Sequence, residues 1–174
     1  MGEIRLVDFD ETDCAQLTRW VNDEGERLFW QWGGGAVFRF PLDDAQLYAH
    51  IQSARAKNPV RRVLKAVDDA GQMVGYLELN RIDYENRAAL VSRVLVGRLT
   101  NRGKGFGHQM ASALLDLAFA EMDIQTLALE VFDFNQGALR LYEKLGFTRD
   151  SQHQFRVLGE MWTSIRMSLN RRQW

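Results

Sequence analysis

A length of 174 residues, 46% of them hydrophobic, is enough to bury one full core, and no linker-like stretch or repeat divides the chain. We therefore predict one domain over residues 1–174. The net charge of -1 argues against a nucleic-acid partner, because it creates no broad positive field. No run of about 18 apolar residues predicts a membrane span, and residues 1–10 are too polar for a signal peptide. A single cysteine, Cys14, excludes an internal disulfide and is typical of a reducing cytoplasm.

The first third of the chain predicts one strand and two helices. Residues 4–9 are β-prone, and Asp10 is a suitable cap for a helix that continues to about Val21. A second helix is predicted over residues 42–56, with Leu47, Ile51 and Ala54 toward the core.

The remaining elements predict a sheet. Three antiparallel strands are expected at residues 62–67, 73–82 and 88–96, with a turn at residues 68–71. Later strands are expected at residues 126–132, 154–157 and 162–169. Together these elements predict an α+β fold with a mixed, mostly antiparallel sheet of about seven strands, flanked by helices.

A glycine-rich loop follows the strand at residues 88–96, and its sequence is Arg102-Gly103-Lys104-Gly105-Phe106-Gly107. Apolar residues then recur at helical spacing, so a helix begins at about Gly105 and its unpaired amides favour a pyrophosphate. The G-x-G-x-G spacing fits neither a dinucleotide fingerprint nor a Walker loop. The alternative is a flexible connection that happens to be rich in glycine.

A second motif lies downstream. Residues 135–145 predict a helix that Asn135 caps and Gly146 ends, with Ala138, Leu141, Tyr142 and Leu145 on one face. A core-packed helix anchored by its tyrosine would have the same pattern.

The two motifs together resemble those of the GCN5-related N-acetyltransferases over about residues 63–169. The family loop R-x-x-G-x-G/A is matched by Arg102, Gly105 and Gly107. The later segment N-x-x-A-x-x-x-Y-x-x-x-G-F is matched by Asn135, Ala138, Tyr142, Gly146 and Phe147. The tail at residues 161–167 is similar to the closing strand of the branch that contains ribosomal-protein alanine and spermidine acetyltransferases.

The resemblance implies that acetyl-coenzyme A is the acyl donor, with no metal. Its pyrophosphate would lie on the loop amides, its pantetheine arm beside the preceding strand, and its thioester near Asn135 and Tyr142. The implied cofactor-binding residues are Val94, Leu95, Val96, Arg102, Gly103, Lys104, Gly105, Phe106, Gly107, His108, Asn135, Ala138 and Tyr142.

Two catalytic residues are predicted. The phenol of Tyr142 is protonated at pH 7 and is the candidate acid for the departing thiolate, with helix packing as the alternative role. A splay near residues 94–96 would free an amide for the thioester oxygen. Glu78, mid-strand beside that splay, is the candidate general base, although a strand glutamate is more often a solvated surface residue. His50, His108 and His153 are the competing bases.

The acceptor side is expected in the N-terminal third. Trp30, Trp32 and Glu26 belong to a cluster of aromatic and acidic residues that would hold a cationic amine. Core packing and helix capping are the alternative roles, and the glycines after Trp32 would form either a mobile segment or an irregular loop.

The predicted function is acetyl transfer to a primary amine by direct attack in a ternary complex. The acceptor is expected to be a small molecule, such as a polyamine or an aminoglycoside, or a protein N-terminus. The alternative is a non-catalytic module that binds or senses acyl-coenzyme A. We expect no nucleic-acid or membrane partner, and a homodimer is the predicted assembly.

Overall fold

The structure, a computed structural model, describes residues 2–97 and 103–174. Its seven strands form one sheet in the order β1-β2-β3-β4-β5-β7-β6, and only β4 and β5 pair in parallel. The strands are β1 Arg5–Asp8, β2 Arg62–Val67, β3 Met73–Asp83, β4 Ala88–Val96, β5 Thr126–Phe132, β6 Thr148–Val157 and β7 Glu160–Asn170. The predicted α+β class and mostly antiparallel seven-stranded sheet are confirmed.

Helices cover both faces of the sheet. They are α1 Cys14–Asp23, α2 Glu26–Gln31, α3 Asp44–Ser53, α4 Phe106–Asp116 and α5 Gln136–Lys144. A π-helical turn at Leu117–Glu121 extends α4. Short 3-10 turns lie at Glu11–Asp13, Gly34–Ala36 and Arg171–Gln173. None of the helices in the described ranges is long and apolar enough to cross a bilayer.

The core lies in two layers because side chains alternate between the faces of each strand. Val63 packs with α1, α2 and α3 on one face, and its neighbour Leu64 packs with α4 and α5 on the other. Tyr76 and Leu77 on β3 repeat this alternation. The central strand β3 is therefore buried on both faces.

Several predicted boundaries were wrong. The helix predicted over residues 42–56 begins only at Asp44, because the side chain of Asp43 caps it by accepting from the N–H of Gln46 at 2.8 Å. The strand predicted over residues 154–157 is β6, which begins at Thr148. Nine of its ten residues are exposed, so this edge strand lacks the apolar alternation that reveals a strand in sequence.

The aromatic segment after α1 is also more regular than expected. It contains α2 and the turn at Gly34–Ala36, where the sequence predicted a mobile or irregular glycine loop. Asp10 does act as a cap, but of the 3-10 turn that leads into α1.

Candidate active site

The strands β4 and β5 separate in the middle of the sheet. Their parallel pairing ends at Val91 opposite Leu129, whereas β4 continues beside β3 to Val96. The splay predicted near residues 94–96 is therefore present, and it begins at Ser92.

This separation leaves strand amides without a neighbouring strand. The N–H of Gly97 donates to the carbonyl of Val74 on β3 at 2.8 Å. Because successive N–H groups of a strand point to opposite sides, those of Val96 and Val94 point toward the gap that β5 leaves. Such amides are suitable donors to a ligand oxygen.

A cavity of about 510 Å³ fills the space between β4, α5 and the start of α4, and we call it the β4–α5 cleft. It brings together most of the residues predicted to bind the cofactor. These are Val94, Leu95, Val96, Gly103, Gly105, Gly107, His108, Asn135, Ala138 and Tyr142. Lys104 and Phe106 do not line it, and Phe106 packs against the core instead. Arg102 lies outside the described residues.

The N-terminus of α4 provides the donors of this cleft. Gly105 precedes the helix with a φ of +81°, a left-handed conformation that favours glycine. The first helical hydrogen bond runs from the N–H of Gln109 to Gly105 at 3.1 Å. The N–H groups of Phe106, Gly107 and His108 therefore have no acceptor within the helix. This arrangement fits the pyrophosphate of the implied cofactor.

Tyr142 lines the cleft from α5. The predicted cap of its helix is confirmed, since Asn135 Oδ1 accepts from the N–H of Ala138 at 3.2 Å. The tyrosine ring is buried against Phe147, with 5.7 Å between the ring centroids. Its hydroxyl makes no hydrogen bond with any described residue, and burial raises the pKa of Tyr142 to about 12. The phenol is therefore a protonated donor with no competing acceptor nearby.

Glu78 has a different environment from the one expected of a general base. Its fully buried carboxylate accepts hydrogen bonds from Tyr76 Oη at 2.5 Å, Asn80 Nδ2 at 2.7 Å and Arg93 Nη1 at 2.8 Å. His50 Nε2 lies 3.1 Å from it. We call these five residues the Glu78 cluster.

The cluster makes Glu78 a poor proton acceptor. Burial alone raises the pKa of the carboxyl, but the hydrogen bond from His50 and the charge of Arg93 outweigh it and lower the pKa to about 2. Glu78 lines neither the β4–α5 cleft nor the second cavity described below. The geometry thus supports a positioning role for Glu78 and does not support direct proton abstraction.

The Glu78 cluster holds a bulge in β4 in place. Tyr76 pairs with Leu95 and Glu78 with Ser92, so β4 has one residue more than β3 between these pairs. Arg93 lies in this bulge with a φ of +51°, and its side chain ends on Glu78. Trp32 Nε1 also donates to the carbonyl of Arg93, at 2.9 Å. Both contacts hold the strand directly before the Val94 amide.

The three histidines predicted as competing bases are dispersed. His50 Nδ1 accepts from Arg61 Nη1 at 3.2 Å, so the neutral ring carries its proton on Nε2 and donates to Glu78. His108 lines the β4–α5 cleft, and His153 is exposed on β6.

A second cavity, of about 660 Å³, adjoins the cleft at Gln31 and Trp32, and we call it the aromatic cavity. Of the predicted acceptor residues, Trp30 and Trp32 line it. Glu26 does not, although its carboxylate accepts from Trp30 Nε1 at 3.4 Å.

Sequence reasoning missed Glu130, on β5. Its half-exposed carboxylate lines the aromatic cavity. It also lines a smaller gap of about 80 Å³ between β4 and β5, which Tyr142 lines as well. It accepts from Ser164 Oγ at 3.3 Å and lies 3.6 Å from Arg166. The available signal was a single carboxylate within an apolar strand, next to the expected splay.

Comparison with known proteins places this geometry in context. Residues 3–148 match the acetyltransferase (GNAT) domain. The chain is 28% identical to the spermidine N(1)-acetyltransferase of Escherichia coli over 110 residues, which are 62% of this chain and 58% of that protein. It is also 28% identical to an aminoglycoside N(6')-acetyltransferase type 1 of Klebsiella pneumoniae over 148 residues, covering 80% and 71% of the two chains. The first of these matches spans less than two thirds of its relative's length.

The fold has close neighbours among solved structures. A spermidine N-acetyltransferase from Vibrio cholerae, in complex with CoA and spermine, superposes with a TM-score of 0.84 at 21% identity. The superposition covers 98% of this chain and 97% of that one. Another structure of the Vibrio cholerae enzyme is described as dodecameric. The resemblance to the GCN5-related N-acetyltransferases is confirmed by the domain match, and the relatives named as spermidine acetyltransferases agree with the predicted branch.

Proposed function

The chain belongs to the acetyltransferase (GNAT) family, whose domain it matches over most of its length, and from this premise we propose that it transfers an acetyl group from acetyl-coenzyme A to a primary amine. The observation that carries this proposal is the β4–α5 cleft. In one cavity it combines the amides at the start of α4, the strand amides freed by the splay, and the unpaired hydroxyl of Tyr142. The transfer is a direct attack in a ternary complex.

The donor is held mainly by backbone groups. The N–H groups of Phe106, Gly107 and His108 bind the pyrophosphate, where the helix dipole adds to their attraction. The edge of β4 from Val94 to Val96 binds the pantetheine arm. Acetyl-coenzyme A, when bound, supplies the thioester that is cleaved.

Three groups act on the reacting atoms. The amide of Val94 donates to the thioester oxygen as that oxygen gains negative charge, which supplies several kcal/mol in a site that excludes water. Tyr142 donates its proton to the departing sulfur. We assign proton acceptance from the incoming ammonium to Glu130, because its carboxylate lies open to the gap beside Tyr142.

The aromatic cavity receives the acceptor. Trp30 and Trp32 form its walls, and it meets the cleft at Trp32, so an amine bound there can approach the thioester. Relatives are named for spermidine and for aminoglycosides, both of which carry primary amines. We propose a primary amine as the acceptor of this chain, either on a small molecule or at a protein N-terminus. The homodimer stays a prediction.

A thiol-release assay tests the proposed function. Purified protein is mixed with acetyl-coenzyme A and a panel of polyamines, aminoglycosides, amino acids and N-terminal peptides, between pH 7 and 9. We expect saturable turnover with at least one amine. Saturable binding of the cofactor without turnover on any amine would favour the non-catalytic sensing module instead.

A further inference from the structure

The charged residues that line the aromatic cavity are mostly positive. Three arginines, Arg61, Arg81 and Arg93, face a single carboxylate, that of Glu130. This balance is unexpected for a cavity that receives a cation. It is also not a consequence of overall charge, since the chain has a net charge of -1.

Two of these arginines have no acidic partner. Arg93 is paired with Glu78, and Glu130 is paired with Arg166. Among the described residues, Arg61 donates to Ser53 Oγ, at 2.7 Å, and to His50 Nδ1, neither of which is acidic. Arg81 is exposed and makes no hydrogen bond or ion pair within the described part of the chain. Two positive charges at the cavity are therefore left uncompensated.

Unused donors point to the same place. The buried side-chain nitrogens that lack a partner among the described residues are Arg61 Nε and Arg93 Nε, and both belong to arginines that line this cavity. Arg61 and Arg81 lie on adjacent segments, since the N–H of Ile82 donates to the carbonyl of Val60 at 3.0 Å. Neither nitrogen is exposed, so both show only that these two arginine donors lack acceptors within the described part of the protein, whereas the exposed side chain of Arg81 is open to a ligand.

We propose that the amine acceptor carries an anionic oxygen group, a carboxylate or a phosphate, and that Arg81 and Arg61 bind it in the aromatic cavity. The guanidinium forks match the paired oxygens of either group. The amine end then lies toward Glu130 and the thioester. A polyamine lacks the anion and would place a second ammonium near two unpaired arginines, where like charges repel. This inference rests on the proposed function and specifies its substrate class.

The test compares acceptors that differ only at one end. ω-Amino acids of three to six carbons are assayed beside n-alkylamines, α,ω-diamines and ω-aminoalkylphosphonates of the same chain length. Calorimetric affinities of the same compounds, measured with coenzyme A present, give a second readout. We expect at least one anionic acceptor to bind about tenfold more tightly than the alkylamine of the same length, or to show a KM about tenfold lower. A tenfold difference corresponds to the contribution of about one charge-assisted hydrogen bond. A preference for carboxylate over phosphonate, or the reverse, identifies the source.

Variants of Arg81 test whether this side chain causes the preference for the anionic acceptor. Arg81→Gln should remove the tenfold advantage of the anionic acceptor and leave the alkylamine unchanged, whereas Arg81→Glu should favour the diamine. Arg19→Gln, which removes an exposed arginine of α1 outside the cavity, is the matched control. Equal affinity for all compounds, preference for the diamine, or no binding of the anionic ones overturns the inference. Turnover on diamines alone would do so while leaving the proposed acetyltransferase function intact.

Discussion

The β4–α5 cleft and the aromatic cavity meet at Trp32 but offer different chemistry. Backbone amides at the start of α4 and along β4 provide the donors of the cleft. Charged and aromatic side chains line the cavity. A site that binds its ligand through backbone amides keeps its donors when side chains change. A site that binds through side chains changes its ligand preference when those side chains are substituted. We therefore expect the acceptor to vary more readily among related chains than the cofactor does.

The Glu78 cluster lies between the two regions and supports both of them, so disrupting it is the largest change that we predict. Glu78→Gln keeps the shape of the side chain but leaves the charge of Arg93 buried without a counter-charge. Breaking a buried pair in this way costs about 3–5 kcal/mol of the free energy of unfolding. Urea denaturation of the purified proteins measures the loss. Glu143→Gln, which removes a half-exposed partner of Arg149, should cost less than about 1 kcal/mol.

The loss should also depend on pH. Folding lowers the pKa of Glu78 from an ordinary 4.5 to about 2, so its charge stabilises the folded state above about pH 4.5. That contribution disappears as the pH falls toward 2. The part of the difference between wild type and Glu78→Gln that comes from this carboxylate should therefore be fully present above about pH 4.5 and shrink as the pH falls toward 2. A difference that stays the same across this range would contradict the assigned charge state.

Within the β4–α5 cleft, Tyr142→Phe separates chemistry from packing. The variant keeps the ring against Phe147 and removes only the hydroxyl, which has no described partner. As the proton donor to sulfur, its loss should lower kcat about 100-fold, with cofactor affinity and melting temperature unchanged. Because the pKa of Tyr142 is about 12, wild-type activity should not fall through loss of this proton below about pH 11.

Steady-state kinetics on an amine identified by the panel measure the effect. Tyr48→Phe, at a half-exposed tyrosine of α3, is the control and should match wild type. A Tyr142→Phe variant within about threefold of wild type would mean that water protonates the thiolate, and Tyr142 would then be only a wall of the cleft.

The two regions also differ in how much of each could be predicted from the sequence. Each motif at the cleft consists of residues close together in the chain, so the glycine loop, the Asn135 cap and the position of Tyr142 could be predicted from the sequence. The turn at residues 68–71 and the β-prone runs likewise predicted the three antiparallel strands between residues 62 and 96. Turns, caps and single strands or helices are determined by neighbouring residues, so they can be predicted from short sequence patterns.

The remaining features depend on distant segments. Glu78 contacts His50 on α3 and Arg93 on β4, and no spacing in the sequence indicates that these residues meet. The expectation that Glu78 is a base came from its strand position alone, without the two partners that lower its pKa. Arg81 and Glu130 line one cavity from different strands, so its charge balance appears only in the folded chain.

The smallest predicted effect tests whether the cleft depends on backbone geometry. Gly105→Val places a β-branched side chain at a φ of +81°, which strains the loop by about 1–3 kcal/mol and displaces the amides at the start of α4. Calorimetry should show the affinity for coenzyme A falling about tenfold, while the fold persists. Gly71→Val is the matched control, since Gly71 has a φ of +75° with no atom within 4 Å of an added Cβ, and it lies in a turn between β2 and β3. Both variants share the backbone strain, but only Gly105→Val should lower the affinity for coenzyme A. If the two lose affinity equally, or neither does, the amides of α4 do not hold the pyrophosphate, and the contrast between a backbone site and a side-chain site fails.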